Sequence, residues 1–169
     1  MQSGEVEHPG VQPPDERAAL VQRLDFYRAT VSSLVVGLTW KQASSRPLAA
    51  TDLTPAGLIK HLAWVEDHWF QARLLGRPMP EPWGSRGDTP EKSMDLRPDD
   101  SVASLLELYA AACGRSREAA DGVSSLGTSA AVGSFGAGPV NLRWILVHMI
   151  EETARHAGHL DLLGDELHN

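Results

Sequence analysis

Only one cysteine, Cys113, stands in the 169 residues. No internal disulfide can form, which fits a reducing compartment such as the cytoplasm. No lysine/arginine cluster offsets the formal net charge of −7, and this argues against a nucleic-acid partner. Apolar runs are short. Ser33-Leu-Val-Val-Gly-Leu38 falls far below the ~20 residues of a membrane span, so no membrane partner is expected. The opening Met-Gln-Ser-Gly-Glu-Val-Glu-His has neither a basic start nor an apolar stretch, and no signal peptide is read there. Strand-like alternation and internal repeats are missing. The glycine-rich Gly133-Ser-Phe-Gly-Ala-Gly138 lacks the Gly-Lys-Ser/Thr ending of a phosphate loop and is preceded by no strand. There is no serine nucleophile elbow.

What is present is helical periodicity. Hydrophobic residues make up 42% of the chain, close to the globular norm. The five tryptophans supply large rings to a core. Residues 1–14 are polar and end in Pro13-Pro14, a flexible N-terminal arm before one domain over 15–169. From Asp15 as cap, the stripe Leu20, Leu24, Tyr27, Val31, Leu34, Leu38 predicts a first helix. Gly37 and Ser44-Ser-Arg-Pro47 mark its end and a loop. Thr54-Pro55 opens a second helix, Ala56 to Leu75, with Leu58, His61, Leu62, Val65, Trp69 and Leu75 on one face. Gly76 and Pro78 stop it. Residues 77–99, with five prolines and Trp83, read as a long irregular connection.

Asp99-Asp100-Ser101 caps a third helix with the stripe Val102, Leu105, Leu106, Tyr109, Cys113 (or Ala112), Ser116, Ala120. A Gly/Ser/Ala-rich loop, Gly122 to Gly138, precedes a fourth helix from about Val140 to Leu163. Four such helices predict an all-α four-helix bundle, with two connections long enough for a crossover.

The fourth stripe is broken in its middle: Leu142, Ile145, Met149, Glu152, His156, His159, Leu163. A buried carboxylate must be paired, protonated or metal-bound. Glu152 and His156, at i and i+4, point the same way one turn apart. Neighbouring helices lie roughly 8–10 Å apart, so His61 of the second helix can join them. Two histidines, a glutamate and an open fourth position make one of the catalytic zinc arrangements. Against this stand plainer readings. His61 alone on an apolar face is more often a hydrogen-bonded core residue, and Glu151, Glu152 and Arg155 could form a surface salt-bridge row. His148 and His156 are ~12 Å apart along the axis, too far to share an ion. His159 is read as a ligand, an orienting neighbour or a proton carrier, and His68 as a boundary residue. Cys113 is read as a small core residue.

These residues resemble a known superfamily. Leu58-Ile-Lys-His61-Leu with Val65-Glu66 and Trp69, and Leu142-Arg-Trp-Ile-Leu-Val-His148 through Glu151-Glu152-Thr-Ala-Arg155-His156-Ala-Gly158-His159-Leu-Asp161, resemble the DinB-like (YfiT-like) superfamily, the mycothiol-transferase group. Within it the chain is similar to an uncharacterised branch labelled mini-circle proteins. The likeness covers nearly everything after residue 15, and the fourth-helix string is its specific part.

The resemblance implies up-down-down-up topology and one divalent ion held by His61, Glu152 and His156. Many members have histidine where Glu152 stands; glutamate there is similar to the mycothiol-dependent maleylpyruvate isomerase branch. It also implies a metal-dependent enzyme using a low-molecular-weight thiol, mycothiol or bacillithiol, for S-transfer to an electrophile or for isomerisation. His159 and Asp161 are candidates to orient ligands from behind, and Trp83 or Arg86 to line the entrance. Zinc is the expected ion and nickel the alternative. The competing expectations are a metal-dependent hydrolase and a non-catalytic metal- or partner-binding stress bundle, with a homodimer as one assembly.

Overall fold

The computed structural model describes residue 13 and residues 15–86, 89, 92–133 and 139–168, without the side chains of residues 85, 86 and 168. The expected arm, 1–14, falls almost wholly outside the described residues, as does most of the glycine-rich run 133–138. All named elements are helices: α1 (Glu16–Val35), α2 (Trp40–Ala43), α3 (Pro55–Asp67), α4 (Trp83–Arg86), α5 (Val102–Asp121) and α6 (Leu142–His168), with a π-helical stretch, His68–Leu74, continuing α3. The one β pairing among the described residues is the isolated bridge between Ser129 and Asn141. No described helix is long and apolar enough to cross a membrane.

Local chemistry starts each long helix. Asp15 accepts from the Ala18 N–H at 2.8 Å, Thr54 from Gly57 at 3.0 Å, Ser101 from Ser104 at 3.1 Å and Asn141 from Trp144 at 3.0 Å. Each side chain satisfies an N–H that the helix leaves without an internal partner. Gly76 ends the π-helical stretch at φ +64°, a backbone region that glycine enters without steric cost.

The structure corrects the sequence expectations at several points. The first helix ends at Val35, and Thr39 and Gln42 then form a capping box for the unforeseen α2. Its buried residues are Leu24, Arg28, Val31 and Val35, a face rotated by about one residue from the expected stripe. Every residue of α3 is buried, so this helix is enclosed all round. Of the expected third-helix caps only Ser101 acts as cap; Asp100 turns to α3 and takes Lys60 Nζ at 2.7 Å. The last helix runs past Leu163 to His168.

Pairs of side chains fix the topology. Arg143 and Glu16, 2.6 Å apart, join the starts of α6 and α1. Arg17 donates to the carbonyls of Ala120 and Val123, so α1 starts where α5 ends. Lys60–Asp100 ties the early part of α3 to the start of α5, and Asp67–Arg115 ties its end to the later part of α5. Thus α1 and α6 are parallel, α3 and α5 are parallel, and the pairs oppose one another: up-down-down-up. This order explains the long connection before α5. Two parallel neighbours need a chain that returns the length of the bundle.

Candidate metal centre

α3 and α6 bring together His61, Glu152 and His156. His61 Nε2 lies 3.3 Å from Glu152 Oε1, and His156 Nε2 lies 3.1 Å from the same oxygen. The two imidazole centroids are 5.1 Å apart, with planes at 74°. Among the described residues these three form a group able to hold an ion, their ligand atoms all within 4.8 Å of one another.

The donor set fits a small divalent ion. Ligands about 2.0–2.1 Å from a tetrahedral centre are about 3.3–3.4 Å from each other, close to the two contacts at Glu152. As ligands, two imidazoles and one carboxylate carry a single negative charge, which leaves a divalent ion with net positive charge for a fourth donor.

Glu152 is less enclosed than its place in the stripe implied. Its side chain is 15% exposed, and the inward position belongs to Thr153, which is fully buried and donates to the Met149 carbonyl at 2.6 Å. The partial opening lowers the cost of keeping a carboxylate there. Hydrogen bonds with His156 and His61 hold the Glu152 carboxyl well below the usual carboxylate range, against the opposing effect of burial. Its second oxygen meets Arg155 Nη1 at the rim, 3.2 Å away.

Both rings are also held from behind. His156 Nδ1 faces His159 Nδ1 at 3.2 Å. His61 Nδ1 faces Ser93 Oγ at 2.7 Å, and Ser93 is fully buried. Nothing in the sequence marked Ser93. It lies in the irregular connection, and its 32-residue separation from His61 leaves no local pattern to read.

The remaining sequence candidates fall away from the triad. His148 and His68 belong to an aromatic column. His68 stacks on Trp64 at 4.5 Å, and His148 stacks on Trp144 at 5.1 Å and meets Trp69 at 4.7 Å. Burial, then Arg73 and His148, push His68 from its ordinary 6.5 down to about 4, and His68 Nε2 accepts from Arg73 Nε at 3.2 Å. Burial lowers His148 too. Asp161 is exposed, and partial burial and Asp165 raise its carboxyl. Trp83, expected at an entrance, is 2% exposed and donates to Asp67 Oδ2 at 2.9 Å. The side chain of Arg86 lies outside the described residues. Cys113 is buried; burial, then Glu66, push its thiol up, which suits a core residue and not a nucleophile.

Fold and side chains together describe an up-down-down-up helical bundle with a His/Glu triad between its second and last long helices. The family model for mycothiol-S-transferase matches residues 19–168, and the chain belongs to that family. Among solved structures it is similar to a conserved protein from Enterococcus faecalis: TM-score 0.64, 16% sequence identity, 92% of this chain and 98% of that one covered. That likeness concerns the fold. Comparison with curated proteins finds no match.

Proposed function

We propose that this protein is a metal-dependent transferase that joins a low-molecular-weight thiol, of the mycothiol or bacillithiol type, to a small electrophile. The observation that carries this reading is the convergence of His61, Glu152 and His156 on one point, in a chain of the mycothiol-S-transferase family. A divalent ion held by these three residues, zinc by preference, would supply positive charge, and such charge favours the deprotonated form of a thiol near neutral pH.

The chain's own residues prepare the place. His61 and His156 turn one ring nitrogen each toward the common point and are held at the other by Ser93 and His159. Glu152 contributes the negative charge and is kept ionised by its neighbours. Trp64, 6% exposed, lies nearly parallel to the His61 ring, with centroids 6.5 Å apart. It provides an apolar wall that limits water around the ligands. In the transfer the thiol gives its proton to solvent, its sulfur bonds the electrophilic carbon, and the bond from that carbon to the leaving group breaks, the electron pair departing with that group. A hydrolase needs a further carboxylate as base; Glu151 and Asp161, the neighbouring acidic residues of α6, are both exposed, and Glu66 of α3 is taken up by Arg28, so no observation favours that reading.

The test begins with elemental analysis of protein purified without chelator, beside Glu152→Ala and His156→Ala. Stoichiometric divalent metal in the wild type and its loss in both variants is expected. Wild-type protein that carries none and takes up none on titration sinks the reading. Thiol consumption with a panel of electrophiles follows. Metal present but no consumption above the buffer rate would reject the transferase while leaving the metal centre.

A further inference from the structure

We infer that Ser93 is a positioning residue of this centre, and that the crossing segment carrying it forms the back wall of the site by holding His61 in its ligating orientation. The inference rests on the metal reading above.

Three side-by-side features of α3 bind the segment down. Gly57, one turn before His61, lets the chain approach: a Cβ there would lie 3.0 Å from the Met94 carbonyl oxygen and 2.9 Å from Thr54 Oγ1. Lys60, next to His61, is buried and donates Nζ to the Asp95 carbonyl and to Asp100 Oδ2, both at 2.7 Å. His61 itself takes Ser93 Oγ at 2.7 Å. The Ser93 N–H donates to the Thr89 carbonyl at 2.9 Å. The hydroxyl is thus delivered to His61 Nδ1 by backbone held on both sides.

A hydroxyl both donates and accepts, whereas each nitrogen of a neutral imidazole does one or the other. When His61 Nε2 carries the proton toward Glu152, Ser93 donates to Nδ1. When Nε2 offers its lone pair to an ion, Nδ1–H donates to Ser93. The ring keeps one orientation through both tautomers and need not turn as an ion enters. Donation from the far ring nitrogen is also the arrangement that orients metal-bound histidines and raises their basicity, and losing such a partner costs about 10–100-fold in metal affinity.

The experiment is a zinc titration against a competing chromogenic chelator for wild type, Ser93→Ala and His61→Ala, with ¹⁵N shifts of the His61 imidazole in the zinc-loaded wild type. We expect Ser93→Ala to weaken zinc about 10–100-fold, and the shifts to show a protonated, hydrogen-bonded Nδ1 with Nε2 on the metal. Affinity of Ser93→Ala within about twofold of wild type, with His61→Ala unable to bind, overturns the role of Ser93 and leaves the metal centre intact. Wild-type protein that binds no zinc overturns both. Should Ser93→Ala fail to fold, the wild-type shifts decide alone: zinc on Nδ1 of His61 overturns the proposal.

Discussion

α3 carries two polar clusters inside the bundle, one at Glu66 and Asp67 near its end and one at His61 near its middle. At the first, every charge meets its opposite. Arg28 reaches Glu66 with Nε at 2.7 Å and Nη2 at 2.6 Å. Arg115 reaches Asp67 with two nitrogens at 2.8 Å, and Trp83 adds a third donor. At the second, two rings share one carboxylate oxygen, and the one guanidinium shown in contact, Arg155, takes the other oxygen from the rim. Both clusters take polar groups out of water. The first spends its donors on its acceptors and closes, whereas the second aims donor atoms at a common point with charge to spare for a cation. Burial of charge alone therefore does not single out a ligand set in this protein; convergence without full compensation distinguishes the candidate group.

The sharpest break in this comparison is Arg28→Ala. It strands Glu66, which is fully enclosed, and removal of one partner of a buried pair costs about 3–5 kcal/mol. Chemical denaturation should show that loss, while zinc affinity of the folded protein stays near wild type. Glu152→Ala should do the reverse. Zinc binding should weaken more than about 100-fold, beyond the range for an outer-shell partner, while metal-free stability falls by less than it does in Arg28→Ala, because the Glu152 side chain keeps 15% of its surface exposed and Glu66 keeps none. Equal effects of both variants on both measurements would erase the distinction.

A smaller effect comes from Trp83→Phe, which removes one donor to Asp67 but leaves Arg115. A loss of about 1.5 kcal/mol, the low end for a hydrogen bond to a charged group, should appear in the denaturation midpoint with no change at the centre. Gly57→Ala should loosen the crossing segment at Met94 and weaken zinc in the same direction as Ser93→Ala, by a smaller factor. Unchanged affinity would mean that α3 tolerates the added methyl.

The last contrast concerns pH. His68, in the aromatic column against Trp64, has its folded value lowered from 6.5 to about 4 by burial, Arg73 and His148. The unfolded chain therefore takes the proton first as pH falls. The stability from neutral His68 is complete above about 6.5 and is lost toward pH 4. Melting temperatures of metal-free protein should fall across that window, and His68→Gln should flatten the decline in part, since His148 shifts the same way. A slope identical in variant and wild type would remove His68 as its source.

Much of this was legible residue by residue. Thr54-Pro55 announced the start of α3, and Leu105, Tyr109, Cys113, Ser116 and Ala120 of the predicted stripe are all buried on α5. The pairing of Glu152 with His156 followed from helical spacing, and the choice of His61 followed from the face it shares with Leu58 and Leu62. The π-helical stretch was not legible, because His68–Leu74 has the same composition of apolar and polar residues that an α-helix would show. Nor was the full burial of α3. Lys60, Glu66 and Asp67 lie off the predicted apolar stripe, and only the structure shows Asp100, Arg28 and Arg115 covering them.

The sequence by itself determined what depends on neighbours within a turn or two: caps, stripes, and the alignment of Glu152 with His156, since helical geometry links i to i+4 wherever the helix lies. Only the tertiary structure decided what depends on distant segments meeting. It placed His61 against Glu152 across 91 residues and Ser93 against His61 across 32, closed Arg28 on Glu66 across 38, and thereby separated the charges that brace the bundle from the group whose ligand atoms converge. The reason is that periodicity records which face of a helix is apolar, whereas a polar group inside is stable only if a particular partner arrives. That arrival is set by the packing of whole helices.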